Sequence, residues 1–170
     1  TLQEKSAPAV AVVDGMGRMA TKARSRGVSL AIHTHVNNAA SVTPLVAEAV
    51  RAMFDAGVRD VRNQGVLLRG VNDDAGTLEA LMRALVESRV RPYYLHHLDK
   101  APGTAHFRCT IEHGRELVQQ LRERASGICQ PTYVLDIPGG HGKAPIAESG
   151  LRETASGYEV RDRLGEWRPA

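Results

Sequence analysis

Short β-branched runs alternate with amphipathic helical runs along this chain, and that alternation restricts its fold more than any other feature. Ser29–Val36, Asp60–Leu68, Arg91–Leu98 and Pro131–Ile137 read as strands. Between them, Thr43–Ala56, a segment running from the Asn72-Asp73-Asp74 cap to about Ser88, and Thr110–Arg124 read as helices. Thr43 can cap the first of these, Pro44 suits its first position, and Val46, Val50, Met53 and Phe54 form its apolar stripe; Gly57 ends it. Val10–Arg26 reads as a further helix with glycines near its start. Strands separated by helices imply right-handed βαβ units and a parallel sheet. The expected fold is therefore α/β, a partial (β/α) TIM-like barrel of about four parallel strands with flanking helices. Four strands cannot close an eight-stranded barrel, so the first strand should have an open edge that another element or chain covers.

The tail breaks the pattern. Residues 1–145 carry the alternation, whereas 146–170 show no helical period. Gly157–Asp162 and Glu166–Arg168 flank Arg163-Leu164-Gly165, which reads as a small β-hairpin appendage. A hydrophobic share of 42% and a charged share of 24% are those of a soluble globular protein. No run of about eighteen apolar residues offers a membrane span, and Thr1–Val10 lacks the pattern of a signal peptide. Aromatics at 4% and a net charge of +3 supply little for stacking on nucleic acid. Cys109 and Cys129 do not make a disulfide framework; they suggest a reducing cytoplasm and read as buried small residues rather than ligands.

In parallel α/β folds ligands bind beyond the carboxyl ends of the strands. Polar residues gather there. His35, Asn37 and Asn38 follow the first strand, and Asn63, Gln64, Arg69 and Asn72 belong to the second. Asp99, Lys100 and His106 follow the third, and Asp136 and Lys143 the fourth. Each has a plain alternative: Asn63-Gln64 can satisfy backbone at the strand end, and Asp99 and Asp136 can pair with arginines. His33 and His35 share a strand face, while His96 and His97 point to opposite faces. The stretch Asp136-Ile137-Pro138-Gly139-Gly140-His141-Gly142-Lys143 sets a carboxylate and an amine on either side of a glycine-rich turn. It is not the phosphate-cradling G-x-x-x-x-G-K-[ST] loop, because Ile137 and Ala144 stand where glycine and a hydroxyl belong. A lysine there can reach back over a strand-end pocket, as an amine that bonds a carbonyl must. Two carboxylates suit an ammonium group. Because a neighbouring carboxylate raises an amine's pKa, Lys143 is expected to face a cofactor while the aspartates face another ligand.

Four ordered motifs carry a resemblance. Asn63-Gln64-Gly65-Val66-Leu67-Leu68-Arg69-Gly70-Val71-Asn72, Arg91-Pro92-Tyr93-Tyr94-Leu95, His106-Phe107-Arg108, and Pro131–Lys143 closely resemble the lysine 2,3-aminomutase family, radical S-adenosylmethionine enzymes that also use pyridoxal phosphate. The likeness runs from about Leu30 to Pro145. It implies that Lys143 is the pyridoxal-phosphate lysine and that Asp99 and Asp136 hold the substrate's side-chain ammonium. It also sets His35, Asn37 and Gln64 beside S-adenosylmethionine. The implied reaction interconverts L-lysine and L-β-lysine by amino migration through an imine with pyridoxal phosphate, after a deoxyadenosyl radical takes hydrogen from the substrate. Two alternatives stay open: a relative that modifies a lysine of a translation factor, as Leu98-Asp99-Lys100 also allows, and a non-catalytic fragment that binds pyridoxal phosphate.

One departure matters. The family's [4Fe-4S] cluster needs a C-x-x-x-C-x-x-C run, and this chain has only Cys109 and Cys129. The expectation is a C-terminal portion of a longer, cytoplasmic, homo-oligomeric enzyme, with cluster ligands outside this chain and no radical made by this portion alone. No metal ligand is expected within it, zinc included.

Overall fold

The structure, a computed structural model, describes residues 7–137, 139, 141–147, 151–155, 157–161 and 165–169. The elements are α1 (Ala7–Arg24), β1 (Ala31–Thr34), α2 (Pro44–Asp55), β2 (Asp60–Leu67), α3 (Ala75–Glu87), β3 (Arg91–His97), α4 (Ile111–Arg124), β4 (Thr132–Asp136) and β5 (Lys143–Pro145). β6 (Leu151–Thr154), β7 (Gly157–Arg161) and β8 (Trp167–Pro169) follow.

Helix starts follow their capping chemistry. The Thr43 side chain accepts from Val46 N at 3.4 Å, Asp74 from Thr77 N at 2.9 Å and Thr110 from His113 N at 3.1 Å. Each thereby satisfies a backbone N–H that has no partner inside its own helix. Of the three polar residues before α3, only Asp74 is the cap; Asn72 turns inward, as described below.

The main sheet has the order β1-β2-β3-β4-β5, and its first four strands run parallel. β5 pairs antiparallel with β4. The glycine-rich turn therefore does not lead away from the sheet. Gly139 and Gly142 take φ of +85° and +87°, which side chains rarely adopt, and Ile137 N donates to Gly142 O at 2.8 Å. The chain folds back as a short hairpin, with residues 138 and 140 outside the described set. What forms is an α/β fold with an open, mostly parallel five-stranded sheet, β1 at one edge and β5 at the other.

The core lies on one side of this sheet. Val61 and Leu67 of β2, Leu95 of β3 and Tyr133 of β4 pack with Val50 of α2, with Leu78, Leu81, Met82 and Leu85 of α3, and with Leu117, Val118 and Leu121 of α4. One close approach sets the spacing of α4. A Cβ at Gly114 would lie 2.0 Å from the Tyr133 hydroxyl, so the ring can seat against the helix only because residue 114 is glycine. That hydroxyl bonds His97 Nδ1 at 2.8 Å, giving both buried polar groups a partner.

The tail is a three-stranded antiparallel sheet, β6-β7-β8, rather than a two-stranded hairpin. β7 and β8 match the expected arms, and β6 adds a strand that polar Arg152 and Thr154 conceal in the sequence. Residues 163 and 164 of the expected turn Arg163-Leu164-Gly165 fall outside the described residues.

Candidate functional site

Side chains alternate across a strand, so a sheet with one apolar face presents every second residue on the other. Here that other face is polar. Parallel partners share a face, and the register aligns His33 with Arg62, Gln64 with Tyr94, and Val66 with His96 and then Val134. Asp136 lies two residues beyond Val134 on the same face, with Lys143 as its cross-strand partner.

These residues touch in series. Arg62 Nε donates to Asp60 Oδ2 at 2.5 Å, and its guanidinium lies 4.8 Å from the Tyr93 ring centre. The Asp60 bond raises the already high pKa of Arg62, keeping it cationic. The Tyr93 and Tyr94 hydroxyls share a hydrogen bond of 3.2 Å, and this bond is the main cause that raises the Tyr94 pKa. Tyr94 meets His96 edge-on at 5.7 Å, and His33 meets Tyr93 in the same manner at 5.7 Å. Gln64 Nε2 bonds His33 Nδ1.

Asp136 is the hub at the far end. Lys143 Nζ donates to Asp136 Oδ1, and His96 Nδ1 lies 3.1 Å from Oδ2. The Lys143 hydrogen bond, followed by the Lys143 and His96 charges, holds the Asp136 carboxyl below the usual carboxylate range. For His96, burial outweighs the attraction of Asp136 and pushes the imidazole below its usual 6.5. A neutral His96 donates from Nδ1 and leaves Nε2 with a lone pair, and that buried Nε2 has no partner among the described residues.

The fold separates the sequence-selected residues. Lys143 and Asp136 come together, and they bond each other, whereas the pKa argument from the sequence has Lys143 facing a cofactor and the aspartates another ligand. The cause is β5, whose antiparallel pairing puts residues 136 and 143 opposite one another. Asp99 is exposed in the loop after β3, with its charge near enough to favour protonated His96. Its backbone oxygen, not its carboxylate, accepts from Arg108 Nη2 at 3.0 Å. His35 is exposed just beyond β1. Asn37 Oδ1 accepts from Val66 N at 2.7 Å, so this oxygen braces backbone. Gln64 stands on the polar face, but Asn63 points to the core, where it accepts from Val36 N at 2.8 Å and donates to Val36 O at 2.9 Å. Arg62, Tyr94 and His96, with Tyr93 brought to the same side by the irregular register between β2 and β3, belong to the polar face yet were not among the sequence candidates. The alternation of Arg62 and Gln64 with buried Val61 and Asn63 is the signal that marks the face.

No family model matches the chain. Curated proteins that match include several aminomutases. An L-lysine 2,3-aminomutase from Clostridium subterminale is 44% identical over 115 residues, 68% of this chain and 27% of the relative. The L-lysine 2,3-aminomutase of Bacillus subtilis is 42% identical over 115 residues, 68% of this chain and 24% of its own length. A glutamate 2,3-aminomutase from Clostridioides difficile is 35% identical over 127 residues, 75% and 30% respectively. Among solved structures, a radical SAM methyltransferase from Sphaerobacter thermophilus overlaps 73% of this chain and 38% of its own, at 28% identity and a TM-score of 0.49. The chain belongs to the lysine 2,3-aminomutase family, and it spans 24% to 30% of the length of these three relatives.

Proposed function

We propose that this chain forms part of a radical S-adenosylmethionine aminomutase acting on L-lysine, with the polar face of the sheet as the substrate side. The observation that carries this reading is the ammonium of Lys143 bound to Asp136. A primary ammonium already sits on the carboxylate assigned to a substrate ammonium, so the site's chemistry suits that group. Asp99, whose charge is felt at His96 beside Asp136, supplies a second negative charge on the same rim. The glutamate-specific relative acts on a side chain that ends in a carboxylate, and these two acids would repel such a chain.

The residues fit pyridoxal phosphate. Lys143 is a primary amine at the margin of the polar face, its side chain 38% exposed, and the partnerless Nε2 of His96 is a buried acceptor beside it. Pyridoxal phosphate, when bound, supplies an aldehyde that takes up an amine and a ring that spreads an unpaired electron. Before Lys143 can bond such an aldehyde it has to leave Asp136 and lose a proton. That departure frees Asp136 for the substrate's ammonium, so one carboxylate serves both amines in turn. His96 holds Asp136 in place through Nδ1 throughout. By the family resemblance, Gln64 on this face and His35 beyond β1 would meet S-adenosylmethionine. An iron–sulfur cluster does not fit: the two cysteines, Cys109 and Cys129, do not form the C-x-x-x-C-x-x-C run that a cluster needs.

Treating the full chain with pyridoxal phosphate and borohydride, then mapping the modified peptide, tests the lysine assignment. Modification at Lys143 that disappears in Lys143→Arg is expected; labelling spread over other lysines overturns it. Assay of the complete enzyme against free L-lysine and L-glutamate separates the substrates.

A further inference from the structure

A second cluster lies apart from the polar face. Asp73 stands in the loop between β2 and α3, Cys109 just before α4, and His113 in the first turn of that helix. One ligand atom of each lies within 4.8 Å of the other two. Cys109 is buried, and Asp73 and His113 are partly buried. We infer that Asp73, Cys109 and His113 form a binding site for a divalent, borderline-soft transition metal of the zinc class, with a fourth position open to solvent or another ligand.

The donor set decides the metal class. A thiolate, an imidazole and a carboxylate together suit zinc or cobalt rather than magnesium or calcium, which prefer oxygen alone. Tetrahedral bonds of about 2.0–2.3 Å set donors about 3.3–3.8 Å apart. An inward movement of about 1 Å by the farthest pair then suffices. The outer contacts are already made. His113 Nε2 donates to Asp73 O at 2.9 Å, which fixes the tautomer with its lone pair on Nδ1, the arrangement common for metal-bound imidazoles. Asp73 Oδ1 accepts from Gly70 N at 2.8 Å, which orients the carboxylate and leaves its other oxygen to ligate.

Without an ion the arrangement is unfavourable, since burial and the Asp73 charge together raise the Cys109 pKa. A cation reverses both effects and releases the thiol proton to solvent. Arg69 N donates to Phe107 O at 2.8 Å, so the two segments already meet. A metal would staple the loop after β2 to the start of α4. No spacing motif marks a metal here, because Asp73 is far from Cys109 along the chain and the fold alone brings them together.

Cobalt titration of the purified, chelator-stripped full chain tests this directly. One equivalent of Co2+ should give a thiolate-to-metal charge-transfer band with tetrahedral d–d absorption, displaced by Zn2+. Cys109→Ser should abolish the band, and His113→Gln should weaken Zn2+ binding by more than about 100-fold. Cys129→Ser should leave both unchanged. Absence of the band in the unaltered chain, which needs no variant to fold, overturns the site. So does Zn2+ affinity that survives both Cys109→Ser and His113→Gln.

Discussion

Asp136 and Lys143 face each other across the β4–β5 pair, with the lysine ammonium on one carboxylate oxygen and His96 Nδ1 3.1 Å from the other. The Lys143 hydrogen bond is the largest cause holding the Asp136 pKa down. Replacing Lys143 with methionine removes that bond and its charge while keeping the length of the side chain. The Asp136 pKa should then rise toward its ordinary 3.8, as read by carboxyl carbon NMR across an acid titration. An unmoved titration would mean that the pair does not form in solution.

Gly114 offers a prediction in which two effects of opposite sign compete. Alanine in a helix interior is favoured over glycine by about 1 kcal/mol. A Cβ there would meet the fully buried Tyr133 ring, however, with the hydroxyl at 2.0 Å and ring carbons at 2.4 and 2.7 Å. A ring so enclosed cannot give way, so overpacking wins and Gly114→Ala should destabilise by about 1–3 kcal/mol. In a Tyr133→Leu background the same change should become neutral or stabilising, because the obstructing ring is gone. Urea unfolding of the four proteins in this cycle measures the coupling.

Asn72 is fully buried and holds three backbone groups. Its Oδ1 accepts from Leu68 N at 2.7 Å, and its Nδ2 donates to Asn37 O and Val66 O, each at 2.9 Å. Asn72→Ala strands these groups, so a loss of about 3 kcal/mol is expected by chemical denaturation. Asn72→Asp should be comparably harmful, since a carboxylate cannot make the two donations. A loss below about 0.5 kcal/mol in the alanine variant would mean that water replaces the amide.

What could be read from the sequence was mostly local. Periodicity and caps located α2, α3 and α4 within a few residues, because Thr43, Asp74 and Thr110 act on amides three residues ahead. β5 (Lys143-Ala144-Pro145) and β6 (Leu151-Arg152-Glu153-Thr154) escaped notice because neither carries the β-branched, apolar run that marks a strand. Their formation depends on pairing with β4 and β7 instead. The same limit applied at the site. The sequence grouped Asn63 with Gln64, yet a strand sends neighbours to opposite faces. Asn63 became a core brace, while Gln64 joined Arg62 and His96. Lys143 and Asp136 were both found, but not their bond, which exists only because the turn between them closes a hairpin.

Acid sensitivity follows from two buried histidines. Burial is the main cause that lowers the pKa of both His96 and His97 below 6.5. A group with a depressed pKa takes up its proton less readily folded than unfolded. Once the pH falls below about 6.5, the unfolded chain therefore binds more protons, and stability declines until the folded pKa is passed. Each histidine can contribute a slope of at most about 1.4 kcal/mol per pH unit in that window. For His97 the charge of Arg108 adds to burial; its Nδ1 pairs with the Tyr133 hydroxyl, whose own pKa is raised by burial, so that hydroxyl stays protonated and can donate. A protonated His97 would reverse the bond, its Nδ1–H donating to the hydroxyl oxygen, which must then turn its own proton elsewhere. Urea unfolding at pH 7.5 and 5.5 should show lower stability at the acid end, with the difference reduced in His97→Gln and reduced further in His96→Gln/His97→Gln. Equal stability at the two pH values would show that both imidazoles are open to water in the folded chain.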